Sequence, residues 1–339
     1  MKNHDIKRDF SIDNLRAIAI VLVVFGHSII LYSSQWSIYT TSIECPILDV
    51  VKKIINIVQM PVFFSVSGYL FFFTVRKKKK LYEIIKDKFR RLLIPFIIFA
   101  SIWLVPIRYM VGYPEYIKNS LTDVLFYKIL LGYDNGHLWF LPTLFLCFPV
   151  TYICLYFLQR YVRGVGKYIF LFGISIFLYC EQILFPIKGY IQFWGQHYIW
   201  FCFGLLISYY KNSFFKVWTH FKRLKNLFGI FSMGFIILEL LKPNIISLNI
   251  ASFFAVITCY LIIPNKDNKI GRVLSENSFG IYLIHSPLVY ITYRFFSECL
   301  PCFVIGLNFI LWGGLSLVTS IYLRRTRVKW MVGEYDNAT

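Results

Sequence analysis

The chain has 339 residues, of which 58% are hydrophobic, 20% aromatic and only 16% charged, against about 25% charged in an ordinary soluble domain. A mean hydropathy of +0.61 argues against a soluble enzyme and predicts an all-α membrane protein of many passes. A net charge of +19 would suit a nucleic-acid binder, but in so apolar a chain Lys and Arg act as topology signals, and no nucleic-acid partner is expected.

Apolar windows of about 20 residues predict ten transmembrane helices, near 15–33, 54–75, 92–111, 138–158, 167–185, 193–210, 226–241, 246–264, 277–296 and 302–323. Residues 15–323 then form one membrane domain with no separate soluble domain, flanked by tails at 1–14 and 324–339. The first apolar run continues past His27 without a small-residue cleavage site, so it reads as a retained span rather than a signal peptide. Of the 36 Lys and Arg, 26 fall in the two tails and every second connection, 6 in the alternate connections, and four inside spans. This alternation follows the positive-inside rule and predicts cytoplasmic N- and C-termini in a plasma membrane.

The first span carries Arg16 at its entrance and His27 well inside it. Eleven residues at 100° each close three turns to within about 20°, so both side chains share one helix face, roughly 16 Å apart along the axis. A cation and an imidazole on one face of a membrane helix are costly unless that face lines a protein interior or a wet cavity. The plain alternative is a histidine satisfied by a neighbouring hydroxyl or carbonyl.

The second span contains Met60-Pro61-Val62-Phe63-Phe64-Ser65-Val66-Ser67-Gly68. Its proline frees backbone carbonyls, and the small residues either hydrogen-bond or let another helix approach closely. The run Arg76–Lys80 is a topology anchor that also suits anionic lipid or a polyanion. Lys88, Arg90 and Arg91 lead into Pro95 at the start of span three. The guanidinium fork suits phosphate, so this cluster is a candidate donor-binding site for a phosphorylated molecule, with a solvated or lipid-facing role as the alternative.

His137 and Trp139 open span four on the outer side, next to Asp134 and Asn135, as a candidate outward-facing polar site. In span nine His285 lies mid-membrane beside Pro287. Glu239 is an isolated acid in span seven, expected as a partner for one of the histidines or arginines. The eight cysteines are mostly in apolar segments. The single Cys299-Leu-Pro-Cys302 is a weak metal or redox signal, and no metal site is expected.

Taken in order, these stations resemble the integral-membrane acyltransferase family 3, whose members O-acylate cell-surface sugars. The resemblance rests on Arg16…His27, Phe63-Phe64-Ser65-Val66-Ser67-Gly68, Arg90-Arg91-Leu92-Leu93-Ile94-Pro95, His137-Leu138-Trp139-Phe140-Leu141 and Tyr282-Leu283-Ile284-His285, and spans residues 11 to about 325. It implies an acyl-CoA donor, most simply acetyl-CoA, on the cytoplasmic side of a bacterial inner membrane. It also implies a lipid-linked or polymeric sugar acceptor at the outer side, with no bound cofactor. Longer relatives carry a fused extracytoplasmic esterase-like domain, which is not found in this chain.

With the resemblance, His27, Arg16 and His285 become the candidate catalytic residues. Arg90, Arg91, Lys88 and Ser67 are the candidate donor-binding residues, and His137 and Trp139 the acceptor-side residues. His27 is expected either to act as general base toward the sugar hydroxyl or to carry the acyl group covalently, with the base preferred. The competing reading is a polysaccharide exporter, because a cationic mouth and a polar path also suit transport.

Overall fold

The computed structural model describes residues 8–335 except Gln35, Ser37, Lys78 and Phe214. Residues 1–7 and 336–339 of the two tails and Lys78 of the basic run therefore lie outside the described residues. Among the described residues the chain is helical with no β-strand.

A long helix occupies each of the ten expected segments. They are α1 (Phe10–Ser28), α2 (Pro46–Arg76), α3 (Leu81–Met110), α4 (Gly136–Tyr161), α5 (Gly166–Leu184), α6 (Tyr190–Ser213), α7 (Lys225–Leu241), α8 (Ile245–Ile262), α9 (Lys269–Phe296) and α10 (Pro301–Arg325). Among the described residues, seven of them (α1–α5, α8 and α10) are long and apolar enough to cross a membrane. Helix α7, joined at 61° to the short helix Val217–Arg223, brings the number to eight. The expected ten therefore exceeds what length and apolarity support. The two helices that fall short carry polar groups such as Gln192, Gln196 and His197 in α6 and Arg272, Glu276 and His285 in α9. Both are surrounded by protein, α6 by α2 and α5 and α9 by α1 and α10, so neither needs to be apolar all round.

The two ends of the bundle are tied differently. At one end, called the basic end here, Asp9 caps α1 through the Ser11 amide (3.2 Å) and accepts from Tyr69 of α2 (2.9 Å) and Lys211 of α6 (2.6 Å). Arg8 reaches Glu276 of α9 (3.2 Å), and the Tyr335 hydroxyl reaches the Arg90 carbonyl (2.8 Å). At the far end the Ser34 amide donates to Asp49 (2.9 Å), Ser42 to Glu298, and Asn135 to Tyr190 (2.5 Å).

Helices α2 and α6 cross in backbone contact. A Cβ on Gly68 would collide with the Phe201 carbonyl, and one on Gly204 with the Ser65 carbonyl. Small residues let two backbones touch, and van der Waals contact then replaces the hydrophobic drive that lipid does not supply. The expected role of Gly68 is thus met. Ser65 and Ser67 use their hydroxyls on their own helix, at Val62 O and Phe63 O (both 2.9 Å).

Helix α3 is interrupted by two π-helical stretches, Phe89–Leu93 and Ala100–Leu104, each just ahead of a proline, Pro95 and Pro106. Proline lacks the amide that would bond four residues back and clashes with that carbonyl, and a wider turn accommodates both defects. The Arg91 carbonyl then faces Gly333, where a Cβ would come within 2.6 Å of it. Gly333 itself has φ +73°, so glycine is required there on both counts.

Glu239 does not meet a histidine or arginine. It accepts from the Asn244 amide (3.3 Å) and from Ser247 at the turn between α7 and α8. Isolation in an apolar run signals a need for a partner, and a capping turn eight residues away meets that need as well as a distant cation would.

Candidate functional site: two cavities and a histidine cluster

Helices α1 and α9 pack along their length, and the shared face predicted for Arg16 and His27 is realised against α9. Arg16 Nη2 donates to Ser278 Oγ (3.2 Å), and His27 Nδ1 lies 2.8 Å from His285 Nε2. The partners Ser278 and His285 are seven residues apart, again one face. Arg16 makes no ion pair among the described residues. Asp13, one turn before it, is taken by Arg8 (2.7 Å) and Ser275 (3.1 Å).

The histidine pair is oriented from below. His285 Nδ1 sits 2.8 Å from the Ile281 carbonyl, which only accepts, so that nitrogen carries the proton. His285 Nε2 is then the acceptor and His27 Nδ1 the donor, which leaves His27 Nε2 with a free lone pair. This assignment follows from the hydrogen-bond network. A base aligned by a second group that is itself aligned is the arrangement that activates nucleophiles in acyl transfer. Tyr293 fixes the end of α1 by donating to the His27 carbonyl.

His137 joins the pair from the start of α4. Its ring lies 5.7 Å from that of His285 and 6.4 Å from that of His27, and neither of its buried nitrogens has a hydrogen-bond partner. Buried polar atoms are seldom orphaned without a reason, and a ligand or water is one. The loop ahead of it is pinned. Arg108 Nη1 donates to the Asp134 side chain (2.9 Å) and backbone (3.2 Å), and its Nη2 to Tyr290 (2.6 Å). Tyr113, Tyr116 and Tyr290 surround the guanidinium at 4.1–4.9 Å. Gly136, at φ +56° with Arg108 Nη2 2.6 Å from where a Cβ would stand, allows the approach.

Two cavities lie on either side of this cluster. The first, about 430 Å³, opens at the basic end. Its mouth carries Arg16, Lys88, Arg91 and Arg324 with Glu276 and Glu334, and Ser67 is on its wall. Deeper in it is apolar, with Met60, Phe63, Phe140 and Leu144. Arg91 is held by Asp87 (2.9 Å) and Arg324 by Glu334 (2.6 Å). A neighbouring hollow of about 630 Å³ shares Arg16, Leu70 and Thr74 with it and adds Arg8, Lys77 and Lys211. The second cavity, about 250 Å³, is at the far end and is lined by His27, His137, Trp139, Trp36, Arg108, Asp134 and three tyrosines.

Of the residues singled out from sequence, Arg16, Ser67, Lys88 and Arg91 meet at the first cavity, and His27, His137 and Trp139 at the second. His285 lines neither cavity and is the buried partner of His27. Arg90 does not line either cavity. It stacks on Tyr335 at 5.0 Å, because adjacent helical residues point about 100° apart and cannot share one wall. Trp139 packs on Phe193 (4.7 Å) and His197 (4.8 Å) while still facing the far-end cavity. Arg108, Arg324, Glu276 and Lys52 belong to none of the motifs that point to function in the sequence. Arg108 and Lys52 are buried cations in long apolar helices, and that context alone marks an intramembrane ion as worth a partner search.

No curated protein and no solved structure matches the chain. The model of the acyltransferase domain family, acyltransferase 3, matches residues 9–323, a range that contains α1 to α9, nearly all of α10, the whole far-end cavity and the first cavity apart from Arg324, Val332, Gly333 and Glu334. The chain belongs to that family of membrane acyltransferases.

Proposed function

We propose that this protein moves an acyl group, acetyl in the simplest case, from cytoplasmic acyl-CoA to a hydroxyl of a cell-surface or lipid-linked sugar. The setting is a bacterial inner membrane with the basic end facing the cytoplasm. The observation that carries this reading is the aligned chain from the Ile281 carbonyl through His285 to His27, which lines the far-end cavity and keeps Nε2 free. Family membership supports acyl transfer over export.

The donor's phosphates engage the cationic mouth, with Lys88, Arg91, Arg16 and Arg324 as candidates, and the pantetheine arm runs down the apolar interior past Ser67. The sugar enters the far-end cavity, where Trp139, Trp36 and the tyrosines offer apolar faces for its ring. His27 Nε2 takes the proton of the acceptor hydroxyl as that oxygen bonds to the thioester carbon. The carbon–sulfur bond breaks, and the CoA thiolate leaves and collects the proton. General-base assistance of this kind contributes about 10²–10⁴-fold.

The test compares surface glycans by mass spectrometry and proton NMR from a deletion strain and from strains restored with the wild type or His27→Ala. The proposal expects an O-acyl signal that is lost on deletion and regained only with the wild type. Glycan of unchanged chemistry but reduced surface amount would overturn it in favour of export.

A further inference from the structure

The two cavities share no lining residue, and the residues between them are specific. On α2 the first cavity is lined from Thr74 at the basic end down to Met60, about 21 Å of helix. On α4 the lining runs from Phe148 to Phe140, and on α9 from Glu276 to Tyr282. The deepest residues on three helices are therefore Met60, Phe140 and Tyr282. Phe140 and Tyr282, with Phe63, form a floor of touching rings, Phe63 to Phe140 at 5.9 Å and Phe140 to Tyr282 at 5.5 Å.

The floor is backed by the histidine cluster. The Tyr282 hydroxyl donates to the His137 carbonyl, its ring lies 5.2 Å from the His137 ring, and Trp139 stands next to Phe140 at 6.4 Å. His27 lines only the cavity beyond. An acyl group delivered from the basic end therefore meets Phe140 and Tyr282, whose rings neighbour Trp139, His137 and His285, before it meets the base.

We propose that Phe140 and Tyr282 are specificity-determining residues that act as a size filter, admitting a short acyl group to the histidines and holding back longer ones. The inference rests on the transferase reading and deepens it. The floor is apolar on the donor side, so it offers nothing to a charged acyl terminus, and its position leaves the thioester of a short chain close to the cluster. A longer chain has to fold back against Met60 and Phe63, which withdraws the reacting carbon from His27.

The test uses membranes bearing the full-length chain, with radiolabelled acetyl-, butyryl- and octanoyl-CoA, counting acyl groups transferred to glycan and released to water. For the wild type, rates fall steeply from acetyl to octanoyl. Phe140→Ala raises the octanoyl-to-acetyl ratio at least about tenfold, the low end of what one methylene costs in a closed apolar pocket. Met60→Ala, which deepens the same floor without touching Tyr282, raises it in the same direction and serves if Phe140→Ala is not produced. Tyr282→Phe keeps the ring and leaves the chain-length ranking as it is. A wild type that uses all three donors equally, or floor variants that leave the ratio unchanged, overturns the filter while transfer stands. A wild type that converts none of the three overturns the transferase reading itself.

Discussion

At the scale of single residues, the chemistry depends on which nitrogen of which imidazole is free. His285 does not line the first cavity, and in the proposed mechanism it aligns His27 through the contact at His27 Nδ1. His285→Ala is therefore expected to lower kcat by about 10²-fold or more, within the range of a general-base contribution, while KM for acetyl-CoA stays within twofold, as about 0.4 kcal/mol or less of ground-state binding is at issue. A rise in KM with kcat intact would mean that the residue binds donor. Arg108 is buried and paired with Asp134, and removing one partner of such a pair leaves an uncompensated charge, at about 3 kcal/mol or more. Arg108→Met should accordingly lower the melting temperature in detergent and release the loop that carries His137. A variant as stable as the wild type would show the pair to be dispensable. His27, His285 and Arg16 were legible in the sequence because each is polar in an apolar run. The Arg108–Asp134 pair was not, since its members are 26 residues apart and meet only through the fold.

At the scale of elements, the start of α1 is the most heavily tied point of the basic end. Burial alone would raise the Asp9 carboxyl, but the Lys211 ammonium beside it and donation from Ser11 and Tyr69 hold it below the usual carboxylate range. A carboxyl whose folded pKa is depressed adds stability above its unfolded value, about 3.9, and loses it as pH falls through the lowered folded value. Asp9→Asn should therefore narrow the difference in melting temperature from wild type as pH drops below about 4, while a difference that is constant down to pH 3 would contradict the assignment. Helix positions were largely readable from 20-residue apolar windows, because every backbone group in lipid must be satisfied within its own segment. Their number as spans was less so. Helices α6 and α9 are shielded by neighbours and carry polar residues, so they fall short of the length and apolarity that mark the other helices as spans. The adjacent Arg90 and Arg91 seemed equivalent as a basic pair, but a helix turns them to different surroundings.

For the whole molecule, the cationic ends of α1, α2, α3, α6, α9 and α10 gather on one side, in keeping with the alternation of Lys and Arg along the chain. Reporter fusions should find residue 339 and the connection near residue 163 in the cytoplasm and the connection near residue 187 outside. A C-terminal reporter active outside would invert the donor and acceptor sides. What the sequence did not reveal is that the polar stations fall into two separate cavities with an aromatic floor between them. That division depends on the depths at which α2, α4 and α9 cross, which no local pattern encodes.

In the proposed mechanism His27, aligned by His285, is the base for transfer of an acyl group from a donor at the basic end to a sugar at the far end. The most direct measurement supplies ¹³C-acetyl-CoA only at the basic end of sealed vesicles containing the protein and envelope glycan, and follows the label by NMR. The account predicts label on a glycan hydroxyl with the wild type and none above background with His27→Ala. Unlabelled glycan with the wild type, or equal labelling with both proteins, would contradict it.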